Sequence, residues 1–193
     1  MYRAMKNSSN NHLSPNVISL EKNVKVPKQE ISDTTLKVQA QTNRLTERQR
    51  EILKKTFHNM EGDCVKLGLK MLLRLFSEYP RYKLIWPQFR AIPDSSLMHA
   101  NQLRRHSSVY MAGLRSIIHS MNKETELADQ LMRIAKAHIK WNIHRSHIQH
   151  MLDPVLEVVK EANGYEMDDE TKEAWTTLYD VIAELIEIYR AKA

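Results

Sequence analysis

Nine histidines in 193 residues is a high share, and two of them stand where a surface histidine would not. His138 follows Leu131, Ile134 and Ala135 at seven, four and three residues, so it continues an apolar helical face. His106 shares a stripe with Leu103, Tyr110 and Leu114, so it too points inward. Taken singly, each is either a buried histidine with a satisfied hydrogen bond or a ligand. Taken as a pair on facing helices, they are the arrangement by which helical bundles hold metals and haem. A second group, His144, His147 and His150, runs at i, i+3, i+6. Its outer members lie about 120° apart around a helix, so one helix does not aim all three at one ion. No carboxylate stands at the spacing of a di-iron Glu-x-x-His site.

Other chemistries find no support. There is no Gly-x-Ser-x-Gly nucleophile turn. Cys64 is the only cysteine and has no histidine partner in its neighbourhood, so it reads as a small helical residue. A single cysteine also excludes an intramolecular disulfide framework. Four glycines, against roughly thirteen at average usage, leave no phosphate-cradling loop and too few tight turns for an all-β chain.

The elements that must position the two histidines are helices. Thr46 to Gln49 spell a capping box, followed by an apolar stripe of Ile52, Leu53, Phe57 and Met60 that Gly62 ends. A second stripe runs from Val65 to Phe76 and stops before Pro80. Three of the six prolines fall between 79 and 94, which predicts turns and short helical pieces there. Asp94-Ser95-Ser96 offer N-caps for a long helix carrying His106. Further helices are expected over about 124–137, 146–163 and 168–190, with Asn163-Gly164 as a stop. Pro154 should kink the second of these three or delay its start. No strand pattern appears. The expectation is an all-α chain of six to eight helices.

The net charge of +6 is concentrated in residues 1–45, which hold seven basic and three acidic groups. This segment is rich in Ser, Asn, Lys, Gln and Thr and is read as a disordered or weakly structured basic tail, with the folded domain over 46–193. The near-neutral body argues against a nucleic-acid partner. No run approaches the roughly eighteen apolar residues of a membrane span, and no secretory leader pattern is present. A cytoplasmic location is expected.

Residues 46–191 resemble an animal globin, closest to the neuroglobin-like branch. Thr46 to Phe57 look like the first globin helix, with Phe57 where many members have Trp. Leu73 to Pro80 are similar to the end of the second helix and its corner proline. Trp86 and Phe89 fall six and nine residues after that proline, where the family keeps two aromatics against the haem. Thr171 to Tyr179 resemble the last neuroglobin helix.

The resemblance implies a globin fold around a haem b pocket. It assigns His138 as proximal iron ligand and His106 as distal histidine. Shifting the distal register to Arg105 would put Gln102 and Gly113 on the buried stripe in place of Leu103 and Leu114. Leu72 would lie over the distal face and Ile143 under the proximal side. Trp86 replaces the usual Phe beside the haem, and Tyr110 stands where an aliphatic residue is usual, so its phenol would either donate to a bound ligand or crowd it. The implied function is reversible binding of O2 or another diatomic gas, or redox and gas-sensing work at a bis-histidine iron with an electron-transfer partner. A haem-dependent nitrite reductase or nitric oxide dioxygenase is the alternative, and a haem-free interaction module a third reading.

Overall fold

A computed structural model describes residues 32–192. Among these residues there are nine α-helices, two 3-10 segments and no strand. The all-α expectation holds. The helices outnumber it because the proline-rich passage holds two single turns and because one helix precedes Thr46.

That first helix, α1 (Asp33–Thr42), is a correction to the reading of 1–45 as a tail; residues 1–31 of that tail lie outside the described residues. Ser32 caps it by accepting from the Thr35 amide. Val38 and the following Leu45 are buried, and α1 packs on α7 (Glu124–Lys140) and α9 (Asp169–Arg190). Arg50 fastens the link to the body: it donates to the carbonyls of Leu45 at 2.9 Å, Thr42 at 3.3 Å and Met121 at 2.7 Å. Two isolated apolar side chains give no periodic signal, yet they suffice when a groove between two longer helices is waiting for them.

The next helix, α2 (Glu47–His58), begins at Thr46 and Gln49, which make both bonds of the capping box. Its buried face meets α9, where the Trp175 indole donates to Thr56 Oγ1 at 3.0 Å. Helix α3 (Cys64–Glu78) crosses α6 (Asn101–His119) at Gly68. A Cβ at Gly68 would stand 2.6 Å from both Met111 Cγ and Ser107 Oγ, so only glycine permits this approach. Ser107 Oγ donates to the Val65 carbonyl at 2.8 Å at the same crossing.

A 3-10 segment (Pro80–Ile85) and the single turns α4 (Pro87–Arg90) and α5 (Asp94–Leu97) carry the chain across to α6. Asp94 to Ser96 therefore open α5 and not the long helix. Leu97, 3% exposed, draws that turn into the core, and α6 starts afresh at Asn101 with no side-chain cap. Helix α7 runs three residues beyond the expected end and includes His138 in its last turn. Asn142, in the left-handed region at φ 54°, turns the chain into α8 (Arg145–Ala162). Pro154 lies inside α8 and does not delay its start. Gly164, at φ 90°, lets the chain leave α8 toward α9, whose N-cap Asp168 accepts from the Thr171 amide at 2.7 Å. Among the described residues, no helix is long and apolar enough to cross a membrane.

Candidate functional site

A cavity of about 300 Å³ opens between α6 and α7 and is closed behind by α3, α8 and α9. Six residues singled out from the sequence line it: Leu72, Trp86, His106, Tyr110, His138 and Ile143. The seventh does not. Phe89 is fully buried behind the wall, with its ring 5.4 Å from His106 and 6.0 Å from both Trp86 and Phe76. It is a buttress for the His106 ring and not a surface of the cavity. The lining contains no Asp, Glu, Lys or Arg.

His138 is held by its own helix. Its Nδ1–H donates to the Ile134 carbonyl at 2.7 Å, which leaves Nε2 as the ring's lone-pair nitrogen. Burial pushes the pKa of this imidazole down, and the backbone bond opposes that shift only in part. His106 sits on α6 with its ring centre 5.0 Å from that of Trp86, the two planes at 60°. Burial, then the neighbouring His138, push its pKa down to about 4. At neutral pH His106 and His138 thus both present uncharged imidazoles to the cavity. Among the described residues, His106 has no hydrogen-bond partner in its ring plane.

The donor set has a chemistry. Neutral imidazole nitrogens ligate iron, and a ring whose second nitrogen is fixed by a carbonyl presents the first in one orientation. A charge-free, largely aliphatic and aromatic slot suits a flat apolar group and excludes water from it. The residues present fit an iron porphyrin.

Tyr110 does not end in open space. Its hydroxyl hydrogen-bonds that of Tyr179 on α9, and both rings line the cavity. Burial raises both phenol pKa values, that of Tyr179 well above the ordinary one. Tyr179 is a site residue that the sequence reading passed over. The available signal was a second phenol inside the apolar stripe of α9, which needs a polar partner when buried. Val109, three residues after His106 on α6, is 66% exposed and stands with the 40% exposed Trp141 at the cavity mouth.

The three histidines at 144, 147 and 150 do separate work. The His144 amide donates to His147 Nδ1 at 3.0 Å, forming a cap for α8. His150 pairs with Tyr82, and His147 and Tyr82 both reach the cavity. Cys64 begins α3 and accepts a bond from Arg115 Nη2 at 3.2 Å.

Comparison with known proteins agrees with this geometry. The family model described as Globin matches residues 69–186. Cytoglobin-1 of Oryzias latipes is 28% identical over 148 residues, spanning 72% of this chain and 79% of its own. An anaerobic nitrite reductase of Gossypium hirsutum is also 28% identical over 148 residues, spanning 74% and 89%. Among solved structures, the hemoglobin of the botfly Gasterophilus intestinalis matches with a TM-score of 0.69 at 17% identity, over 76% of this chain and 99% of that one. The hexacoordinated heme protein of an anhydrobiotic tardigrade matches with a TM-score of 0.66 at 19% identity, over 76% and 96%.

Proposed function

The chain belongs to the globin family, and on that premise we propose that it binds one haem b through His138 Nε2, with His106 on the opposite face and a diatomic gas such as O2 as its ligand. The observation that carries this reading is the fixed tautomer of His138 at the wall of a cavity without charged groups. Non-covalent haem is proposed because Cys64, the only cysteine, is not among the lining residues. Bound there, haem supplies reversible gas coordination and one-electron chemistry.

The protein's own part is positional. The Ile134 carbonyl orients His138, and Leu72, Ile143 and Leu114 keep water out. Trp86 and Phe89 hold the His106 ring edge-on from one side. His106 either stands off and donates to bound gas or takes the sixth coordination position. We favour the sixth position. Support comes from the lack of any competing partner for the His106 ring among the described residues, and from the tardigrade heme protein described as hexacoordinated. A tethered imidazole competes well with dilute gas because its effective concentration is high. Gas affinity then falls by the fraction of open sites, which favours sensing or electron transfer over bulk storage.

A second reading is nitrite reduction, favoured by the Gossypium hirsutum relative described as an anaerobic nitrite reductase. It requires an outside reductant and is tested by anaerobic nitric oxide release from the reduced protein. The coordination proposal is tested by CO rebinding after flash photolysis. The expected result is a slow phase limited by imidazole release that disappears in His106→Leu. A single fast phase in the wild type contradicts it.

A further inference from the structure

A groove separate from the cavity runs between α1, α7 and α9, with a volume of about 730 Å³. Val38, Met132, Ile139 and the Tyr189 ring are its apolar lining. Lys136, Lys140 and Lys192 line it too, with the Lys136 ammonium 5.9 Å from the centre of the Tyr189 ring. Asp129 is the one acidic lining residue, and among the described residues none of the three lysines has a carboxylate within ion-pair reach. Lysine stems lie along apolar surface while their charges stay in water. The result is an apolar slot with an unneutralised cationic rim. Its complement is an aromatic or aliphatic group flanked by acid.

The chain carries that complement at the other end of α9. Tyr165 is 69% exposed and lies at φ 66°, directly after Gly164 at φ 90°. A bulky residue rarely adopts this left-handed backbone, and with the ring in solvent the chain's own packing does not repay the strain. Glu166, Asp168, Asp169, Glu170 and Glu173 follow, all exposed, against Lys172 alone. The cap of α9 occupies Asp168, and Arg48 pairs with Glu170 at 2.6 Å. Glu166, Asp169 and Glu173 have no cationic partner among the described residues. Twenty residues at about 1.5 Å each put Asp169 about 30 Å from Tyr189, so a chain does not fill its own groove with this corner. Residues 1–31 hold five basic groups and two acidic ones, the same sign as the rim.

We propose that Tyr165 of one copy of this chain seats in the lysine-rimmed groove of a second copy, with Glu166, Asp169 and Glu173 set against Lys136, Lys140 and Lys192. Knob and groove are different patches, so the contact is head-to-tail. Each added copy brings a new groove and a new tyrosine, which gives rings or open chains and not a two-fold dimer. The contact is one aromatic anchor within a border of opposite charge. It therefore depends on concentration and weakens as salt screens the border.

The test is sedimentation velocity of the purified full chain over a range of concentrations, at low and at high salt. The expected result is an average mass that climbs above 22.6 kDa with concentration at low salt and returns to it at high salt. Tyr165→Ser alone and Lys136→Glu/Lys140→Glu alone are each expected to sediment as monomers. Mixed in equal amounts, they are expected to form a dimer and nothing larger, because the first keeps its groove and the second its tyrosine. All three positions are exposed, and far-ultraviolet dichroism shows that each variant is folded. Lys192→Glu, beyond the end of α9, replaces the groove variant if that one does not fold. A wild type that stays monomeric at every concentration overturns the proposal. So does an assembly that either variant leaves intact, or a mixture of the folded variants that stays monomeric.

Discussion

The hydroxyl of Tyr110 on α6 is hydrogen-bonded to the hydroxyl of Tyr179 on α9 along the cavity wall. The pair joins the helix that carries His106 to the C-terminal helix. It also explains how a phenol is tolerated where an apolar side chain would pack: its polar end is satisfied by a second phenol.

Tyr179→Phe should therefore leave the Tyr110 hydroxyl buried without a partner, at a cost of about 1–3 kcal/mol. The double variant Tyr110→Phe/Tyr179→Phe should be less destabilised than the sum of the single ones, because it removes the orphaned group as well as the bond. Urea denaturation of the four proteins measures this. Additive losses would show that the two hydroxyls are not coupled.

Gly68→Ala should destabilise the protein by about 1–3 kcal/mol, the usual cost of overpacking. The added methyl meets Met111 Cγ and a Ser107 hydroxyl that is held by the Val65 carbonyl, so neither yields freely. A thermal midpoint equal to that of the wild type would show that α3 and α6 can separate without loss.

Much of the fold and site was legible in the residues. The capping box at Thr46, the inward register of His138 and His106, and the glycine stop after α8 are each a local signal that tertiary packing did not override. What was hidden depends on contacts far apart in sequence. Helix α1 has too few apolar residues to announce itself and is defined by the groove it fills. Asp94 to Ser96 are good caps, but Leu97 is drawn inward and uses them for a separate turn. Phe89 and Val109 have the right type and spacing for a cavity wall. Whether a side chain stands on the wall, behind it or at the mouth depends on helix placement, which periodicity does not contain.

Leu45→Ala should cost about 2–5 kcal/mol, as for other buried leucines, because Leu45 is 2% exposed at the junction of α1 and α2. Deleting residues 32–45 should lower the thermal midpoint further, since Arg50 then loses two of its three carbonyl partners. A midpoint unchanged by the deletion would restore the reading of this segment as a plain tail.

Glu161 on α8 receives Lys70 at 2.5 Å and Arg74 at 2.8 Å from α3. The hydrogen bond from Lys70 comes first among the causes that hold its carboxyl below the usual range, followed by the charges of Lys70 and Arg74, with desolvation opposing them. A depressed folded-state pKa gives stability that is present above the unfolded value, about 4.3, and is lost as pH falls through the folded one. Glu161→Gln should therefore be less stable than the wild type near neutrality, and the gap should close in acid. Denaturation curves at several pH values check the sign, and a gap that widens on acidification would contradict it.

Everything proposed for the cavity depends on His138 holding a haem there with His106 facing it. The decisive measurement is the visible absorption spectrum of the purified, haem-reconstituted chain, oxidised and then reduced with dithionite in the absence of gas. One haem per chain is expected and, on reduction, the sharp split bands of a low-spin bis-histidine iron, with haem lost or the spectrum altered in His138→Ala. A His138→Ala protein that keeps stoichiometric haem with an unchanged spectrum would contradict the assignment.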